Sequence, residues 1–191
     1  MITVKSPTKE TTALKRLFWA QGDIQAAREL CEHALQNEAN MDGWKWRAME
    51  TGIVVSYARP FGENDGLGAL PARFHLFPSE TDLAAVHALL LQGRDVVAAH
   101  NNLLERRSVL ASNVSESESA RVSIIIETDG QVWWTLPIPS LPADNIRRIV
   151  ELCRFQEDRI RRESDARLIA ITKSDRYEAG TYQLGADFPR G

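Results

Sequence analysis

The sequence predicts a mainly α-helical protein, an up-and-down helical bundle that carries an inserted β-hairpin. Several long segments place apolar residues at helical spacing, and most of the connections between them are short. Late in the chain, two β-prone runs flank Asp129-Gly130, a dipeptide that is typical of tight hairpin turns. The 191 residues are most simply one domain, 1–191, with room for a proper hydrophobic core.

The first part of the chain is predicted to form two helical stretches after a loose leader over residues 1–8. A helix begins near Thr8 or Thr11, where an apolar stripe starts on one side. Gly22-Asp23 is expected to break this helix, with Asp23 as the cap of a second stretch that runs to Asn37.

The middle of the chain predicts two further helices that are separated by a long loop. One helix runs from about residue 44 to 59, and Pro60 ends it. Residues 61–78 form a loop rich in glycine and proline, and loops of this length are often functional. A capping-box pattern at 79–82 then starts a helix over about 80–107.

The last third predicts the hairpin, one more helix and a tail. The β-prone runs place the hairpin at about 121–138, after a serine-rich connector over 112–119. The final helix begins near Asp144 and continues to about Arg162 or a little beyond. The segment from about 168 to 191 is predicted to be extended.

Composition narrows the class of protein. The net charge of −3 does not favour nucleic-acid binding, so any RNA contact has to come from a local patch. The two cysteines have no paired-ligand spacing, and no run approaches bilayer length or the apolar core of a signal peptide. We therefore expect a cytoplasmic protein with no membrane association, no metal and no cofactor.

The helix over 80–107 carries the two residues best suited to catalysis, Arg94 and His100. Arginine is a permanent cation that grips phosphate, and histidine moves protons most readily near neutral pH. At about 100° per residue, the two side chains lie on opposite shoulders of the apolar stripe, roughly 120° apart around the axis. His87, Arg94 and Asn101 follow a spacing of seven and share one polar shoulder.

The segment resembles the signature of the HEPN superfamily, an arginine followed after four to six residues by a histidine. Arg94-Asp95 and Ala99-His100-Asn101 match the two ends of that motif. The upstream Tyr57-Ala58-Arg59-Pro60-Phe61 is similar to a segment that precedes the motif in an uncharacterised HEPN-like sub-group. The resemblance covers about residues 10–160, although only these two short segments are specific.

The resemblance implies a homodimer that cuts RNA without a metal. His100 would take or give a proton while the RNA 2′-hydroxyl attacks phosphorus, and Arg94 would stabilise charge on the phosphoryl oxygens. The products would be a 2′,3′-cyclic phosphate and a 5′-hydroxyl. The family further suggests tRNA as one candidate substrate. It suggests a toxin–antitoxin pair or phage defence as the setting, with an antitoxin or other regulatory protein as partner.

Several neighbours are candidates for supporting roles. Asp95 is placed to orient Arg94 or His100, and Asn101 and Asn102 are placed to hydrogen-bond ribose or phosphate.

Tyr57 and Arg59 are candidate RNA contacts before the long loop. An equally good interpretation makes Arg59 a cation at the helix C-terminus, where the helix dipole stabilises it. His75 is either a lid contact or an ordinary loop residue.

A non-catalytic role stays open beside the nuclease. An arginine at the edge of a buried helix face often lies stretched along apolar neighbours, and a histidine on the other edge is often a satisfied core residue. In that interpretation the chain is a HEPN-like interaction or dimerisation module, and Arg94 and His100 hold the dimer.

Overall fold

The structure is a computed structural model that describes residues 2–4, 9–37, 43–63, 67–99, 123–126, 128, 131–135, 143–175 and 182–184. It is mainly helical, as the sequence predicts. The four α-helices are α1 (Lys9–Gln36), α2 (Gly43–Ala58), α3 (Leu83–Ala99) and α4 (Ala143–Asp175). Two short 3-10 turns, Arg59–Phe61 and Ala72–His75, lie between α2 and α3.

The core lies between α1 and the other helices. Helix α1 packs most extensively against α4 and α2, while α2 also packs against α3. The largest buried side chains come from all four helices and from the turn before α3; they include Leu14, Ile24, Ile53, Tyr57, Phe74, Leu90, Ile146, Ile149, Leu152 and Ile160. Their burial removes apolar surface from water, which is the main favourable term in folding.

Helix α1 runs unbroken through Gly22, so the predicted break at Gly22-Asp23 is wrong. An interior glycine costs a helix about 1 kcal/mol, and the buried stripe on both sides of Gly22 outweighs that cost. Asp23 is not a helix cap. Its Oδ1 accepts a hydrogen bond from Arg59 Nη1 at 2.6 Å, which ties α1 to the end of α2.

The described residues of the predicted loop over 61–78 contact the helices. The backbone N–H of Leu70 donates to Pro60 O at 2.8 Å and closes the segment onto the end of α2. Helix α3 then begins at Leu83, a few residues later than predicted. The carboxylate of Asp82 pairs with Arg148 of α4 at 3.2 Å, so it binds a neighbouring helix.

Helix α4 continues to Asp175, well past the predicted end near Arg162 and into the segment predicted as an extended tail. Side chains near its end support the extra turns. Arg167 Nε lies 2.8 Å from Glu163 Oε1 one turn earlier, and Arg167 also pairs with Glu10 of α1. The periodicity of α4 weakens here because Leu168 and Ile169 are exposed, which hid the continuation.

The described residues include four short strands, which form two separate pairs. Strand β2 (Ser123–Ile126) pairs antiparallel with β3 (Val132–Thr135), and both lie inside the range 121–138. Strand β1 (Ile2–Val4) pairs in parallel with β4 (Tyr182–Leu184), a pairing that the sequence did not predict. Three-residue strands are too short to show an alternating pattern. Among the described residues, no helix is long and apolar enough to cross a membrane.

Candidate functional site

Helices α2 and α3 meet at a chain of three hydrogen-bonded side chains. Tyr57, in the last turn of α2, is fully buried, and its Oη lies 2.8 Å from Nδ1 of His87 on α3. The other ring nitrogen of His87, Nε2, lies 2.9 Å from Nδ1 of His75 in the second 3-10 turn. Both nitrogens of a buried histidine are therefore satisfied, as burial requires.

Aromatic rings enclose His87 from two directions. The ring of Phe61 is 4.7 Å from that of His87 and 5.1 Å from that of His75, measured between centroids. Phe77 lies 5.0 Å from His87. The pKa of His87 is lowered to about 4, mainly by burial and in smaller part by the charges of His75 and Arg159. His87 is consequently neutral at physiological pH.

The neutral state of His87 limits the chemistry of the three hydrogen-bonded side chains. Burial also raises the pKa of Tyr57 well above its ordinary value, so the phenol keeps its proton. A neutral histidine has one N–H, and two tautomeric arrangements of protons along the chain are consistent with the distances. The chain Tyr57–His87–His75 is therefore a fixed link between α2, α3 and the turn at 72–75.

Helix α4 holds the same turn from its other side. Gln156 Nε2 donates to Phe74 O at 2.8 Å, and Arg159 Nη1 donates to Leu76 O at 2.9 Å. The Arg159 guanidinium also lies over the rings of Phe74 and Phe155, at 5.1 and 5.3 Å from their centroids. Backbone carbonyls and a desolvated cation together fasten the loop to the bundle.

Arg94 lies on α3 seven residues after His87, and its side chain is half-buried. Its guanidinium rests against Gly62, because a Cβ atom added to Gly62 would lie only 2.2 Å from Nη1 of Arg94. Gly62 has φ −93° and ψ 170°, an extended conformation open to any residue. A Cβ at position 62 would therefore displace the Arg94 guanidinium, although the backbone conformation there accepts any residue.

The Tyr57–Phe61 segment therefore lies beside the helix that carries Arg94, the arginine of the HEPN-like motif. Tyr57 and Phe61 contact His87, and Gly62 contacts Arg94. His87 and Arg94 are the two described residues of the polar shoulder predicted for the motif helix, and both face inward.

The other predicted site residues differ in whether the structure describes them and in whether they are exposed. His100, Asn101 and Asn102 lie outside the described residues, and Asp95 follows Arg94 within α3. Tyr57 is buried and presents no surface to RNA. Arg59 is exposed and is bonded to Asp23.

The His75–His87 contact was missed in the sequence. A signal was present, since His87 shares the polar shoulder with Arg94 and His75 stands between two phenylalanines nearby. Among the described residues, no group of three or more His, Cys, Asp or Glu side chains is arranged to hold a metal ion.

Comparison with known proteins yields no relative. No family model matches the chain, and no curated protein or solved structure matches it either.

Proposed function

We propose that this protein is a metal-independent endoribonuclease of the HEPN type, with Arg94 and His100 as its catalytic residues. One observation carries the proposal. The guanidinium of Arg94 packs against Gly62, the residue that directly follows the Tyr57–Phe61 segment, so this segment leads to the arginine of the motif.

The position of Arg94 also suits its proposed role. A half-buried guanidinium interacts with a phosphoryl group in a medium of lower effective dielectric than water, which strengthens the attraction. The backbone of Gly62 lies on one side of the guanidinium and limits its movement. Preorganised charge of this kind stabilises a transition state without reorganisation during the reaction.

The proposed reaction balances without a metal or a cofactor. The RNA 2′-oxygen forms a bond to the adjacent phosphorus while the bond to the 5′-oxygen breaks. A histidine takes the proton of the 2′-hydroxyl, and a second histidine gives one to the departing 5′-oxygen. In a two-fold dimer these are His100 and its symmetry copy, and the Arg94 pair stabilises the charge on the phosphoryl oxygens. Asp95 and Asn101 support them, and Asn102 contacts RNA.

The proposal also covers the strand pair β2–β3 and the biological setting of the enzyme. The strand pair β2–β3 is a decoration between the motif helix and α4. We place the nuclease in a toxin–antitoxin pair or a phage-defence system, where a regulatory protein keeps it silent.

The experiment is cleavage of tRNA and of total RNA in EDTA by the wild type, Arg94→Ala and His100→Ala. Removing one oxyanion stabiliser or one acid–base group lowers kcat by about 10²–10³. We expect losses of this order in both variants. Arg147→Ala is the control, because Arg147 is an exposed arginine of α4 far along the chain from the motif.

Two results would overturn the proposal. One is a folded, dimeric wild type that cuts none of these RNAs, which would favour a non-catalytic interaction module. The other is cutting that survives in Arg94→Ala and His100→Ala.

A further inference from the structure

A surface pocket of about 270 Å³ lies between α1 and the segment that follows α2. One wall belongs to a single face of α1, and the opposite wall comes from the first 3-10 turn and the loop beyond it. The lining residues are Arg16, Trp19, Ala20, Asp23, Arg59, Pro60, Leu67 and Gly68.

The pocket combines an exposed indole with two guanidinium groups. Trp19 is 66% exposed, which is unusual for the largest apolar side chain. Arg16 Nε donates to Leu67 O, so its guanidinium is held across the pocket beside Gly68. Arg59 contributes a side chain that is 54% exposed although it also bonds Asp23.

We propose that this pocket binds one unpaired nucleotide of an RNA, with the base on Trp19 and a phosphate at Arg16 and Arg59. The inference rests on the proposed nuclease function, because it supplies that enzyme with a substrate-recognition site. Arg94 is not among the residues that line the pocket.

The charge of the pocket fits a nucleotide. The whole chain has a net charge of −3, yet this pocket holds two arginines against one aspartate. A local positive patch of this kind is what an acidic protein needs to attract a phosphate. Oδ1 of Asp23 accepts a hydrogen bond from Arg59, and in the proposed complex the same carboxylate also accepts one from a base N–H, which an inorganic anion cannot offer.

The shape of the pocket agrees with one base rather than a larger ligand. Pockets for drug-sized molecules measure about 300–1,000 Å³, and this pocket is slightly smaller than that range. Unpaired bases are commonly bound by stacking on exposed aromatic side chains, since every base has a π face. Trp19 provides such a face, and Pro60 gives the opposite wall an apolar surface.

A short segment, Arg59–Gly62, connects the pocket with the proposed catalytic arginine. Arg59 and Pro60 line the pocket, and Gly62 of the same short segment packs on Arg94. A nucleotide held at Trp19 would thus place the neighbouring RNA backbone along the segment that leads to Arg94.

The test measures binding without cleavage. The probe is a short, unpaired, fluorescein-labelled oligonucleotide with 2′-O-methyl groups, which has no 2′-hydroxyl and cannot be cut. Its Kd is measured by fluorescence anisotropy for the wild type, Trp19→Ala, Trp19→Phe and Arg59→Ala.

Two control variants match the test variants. Phe18→Ala removes an aromatic side chain that is 46% exposed and adjacent to Trp19 but outside the pocket. Arg147→Ala removes an exposed arginine that, like Arg59, is paired with an aspartate, at 2.7 Å.

We expect Trp19→Ala to raise the Kd on the order of tenfold to a hundredfold, the range that loss of one stacked base gives. Trp19→Phe retains most of the affinity, because phenylalanine also stacks. Arg59→Ala raises the Kd and lowers its dependence on salt, since one phosphate contact is lost. Phe18→Ala and Arg147→Ala leave the Kd within twofold of the wild type.

The outcomes separate this site from the nuclease. No binding by the wild type, or an equal Kd in wild type and Trp19→Ala, overturns the nucleotide pocket. Binding that depends on Trp19, together with no cutting of unmodified RNA, keeps the pocket and removes the nuclease. Cutting with an unchanged KM in Trp19→Ala keeps the nuclease and removes the pocket.

Discussion

The hydroxyl of Tyr57 lies 2.8 Å from Nδ1 of His87, and this one bond joins the end of α2 to the helix that carries Arg94. His87 extends the connection to His75, 2.9 Å from its other ring nitrogen. The segment between α2 and α3 is therefore held on α3 at two positions, by His75 at His87 and by Gly62 at Arg94, about 10 Å apart along the helix axis. The Tyr57–His87 bond positions the candidate site through this segment.

Buried His87 makes the stability of the protein dependent on pH. The pKa of His87 is lowered to about 4 in the folded protein, while an unfolded chain has the ordinary value of 6.5. The unfolded state therefore binds a proton first as the pH falls, and the folded state loses stability between pH 6.5 and about 4. The full effect is about 3 kcal/mol.

Urea unfolding at several pH values measures this effect. His87→Gln, which cannot titrate, is expected to lose this part of the pH dependence. His33→Gln is the control, since His33 is exposed on α1, and it should keep the slope of the wild type. Equal slopes for wild type and His87→Gln would contradict the assignment.

Gly62→Ala tests the contact with Arg94. The added Cβ would lie 2.2 Å from Nη1 and 3.2 Å from Cζ of Arg94, so the guanidinium has to move. The end of an arginine side chain is flexible and the backbone at Gly62 accepts alanine, so the fold is retained. We expect kcat for RNA cleavage to fall by about 10- to 100-fold, because small displacements of a catalytic group are costly.

The control for Gly62→Ala is Gly22→Ala, where an added Cβ meets nothing within 4 Å. Thermal unfolding of both variants shows whether they are folded. A folded Gly62→Ala protein with the kcat of the wild type would show that Arg94 does not act from the position described.

Two helix glycines should respond to alanine in opposite ways. Gly22 faces open space in α1, so Gly22→Ala should raise the free energy of unfolding by about 0.5–1 kcal/mol. At Gly52 of α2 an added Cβ would lie 2.9 Å from Cδ1 of Leu30, closer than packing allows. Gly52→Ala should lower the free energy of unfolding by about 1 kcal/mol because Leu30 has to shift.

Urea unfolding of both alanine variants measures this difference. A Gly52→Ala protein as stable as Gly22→Ala would mean that α1 and α2 are less closely packed than described. Destabilisation by Gly22→Ala would contradict the unbroken course of α1.

Periodicity in the sequence predicted the helices well but their ends poorly. The helix before Pro60 was placed within a residue or two, because proline ends a helix by sterics alone. The break at Gly22 was wrong, since packing against α4 outweighs a local propensity. The end of α4 was placed too early, because its last turns depend on polar contacts such as Arg167–Glu163 rather than on an apolar stripe.

The candidate site was predicted only in its parts. The sequence identified Arg94 and the Tyr57–Phe61 segment separately from their resemblance to a family. Their contact through Gly62, and the bond from His75 to His87, depend on how the loop folds back on α3. No local pattern encodes such a contact, because it joins side chains across a long connection.

The most direct test of the nuclease is the chemistry of the cut ends. A defined unpaired RNA is incubated with the protein in EDTA, beside the same sequence with 2′-deoxy sugars, and the product ends are identified by mass spectrometry. We predict 2′,3′-cyclic phosphate and 5′-hydroxyl ends from the RNA alone, formed about 10²–10³ times more slowly by Arg94→Ala or His100→Ala. Cutting of the deoxy substrate, or products with 5′-phosphate ends, would contradict attack by the 2′-hydroxyl at an Arg94–His100 site.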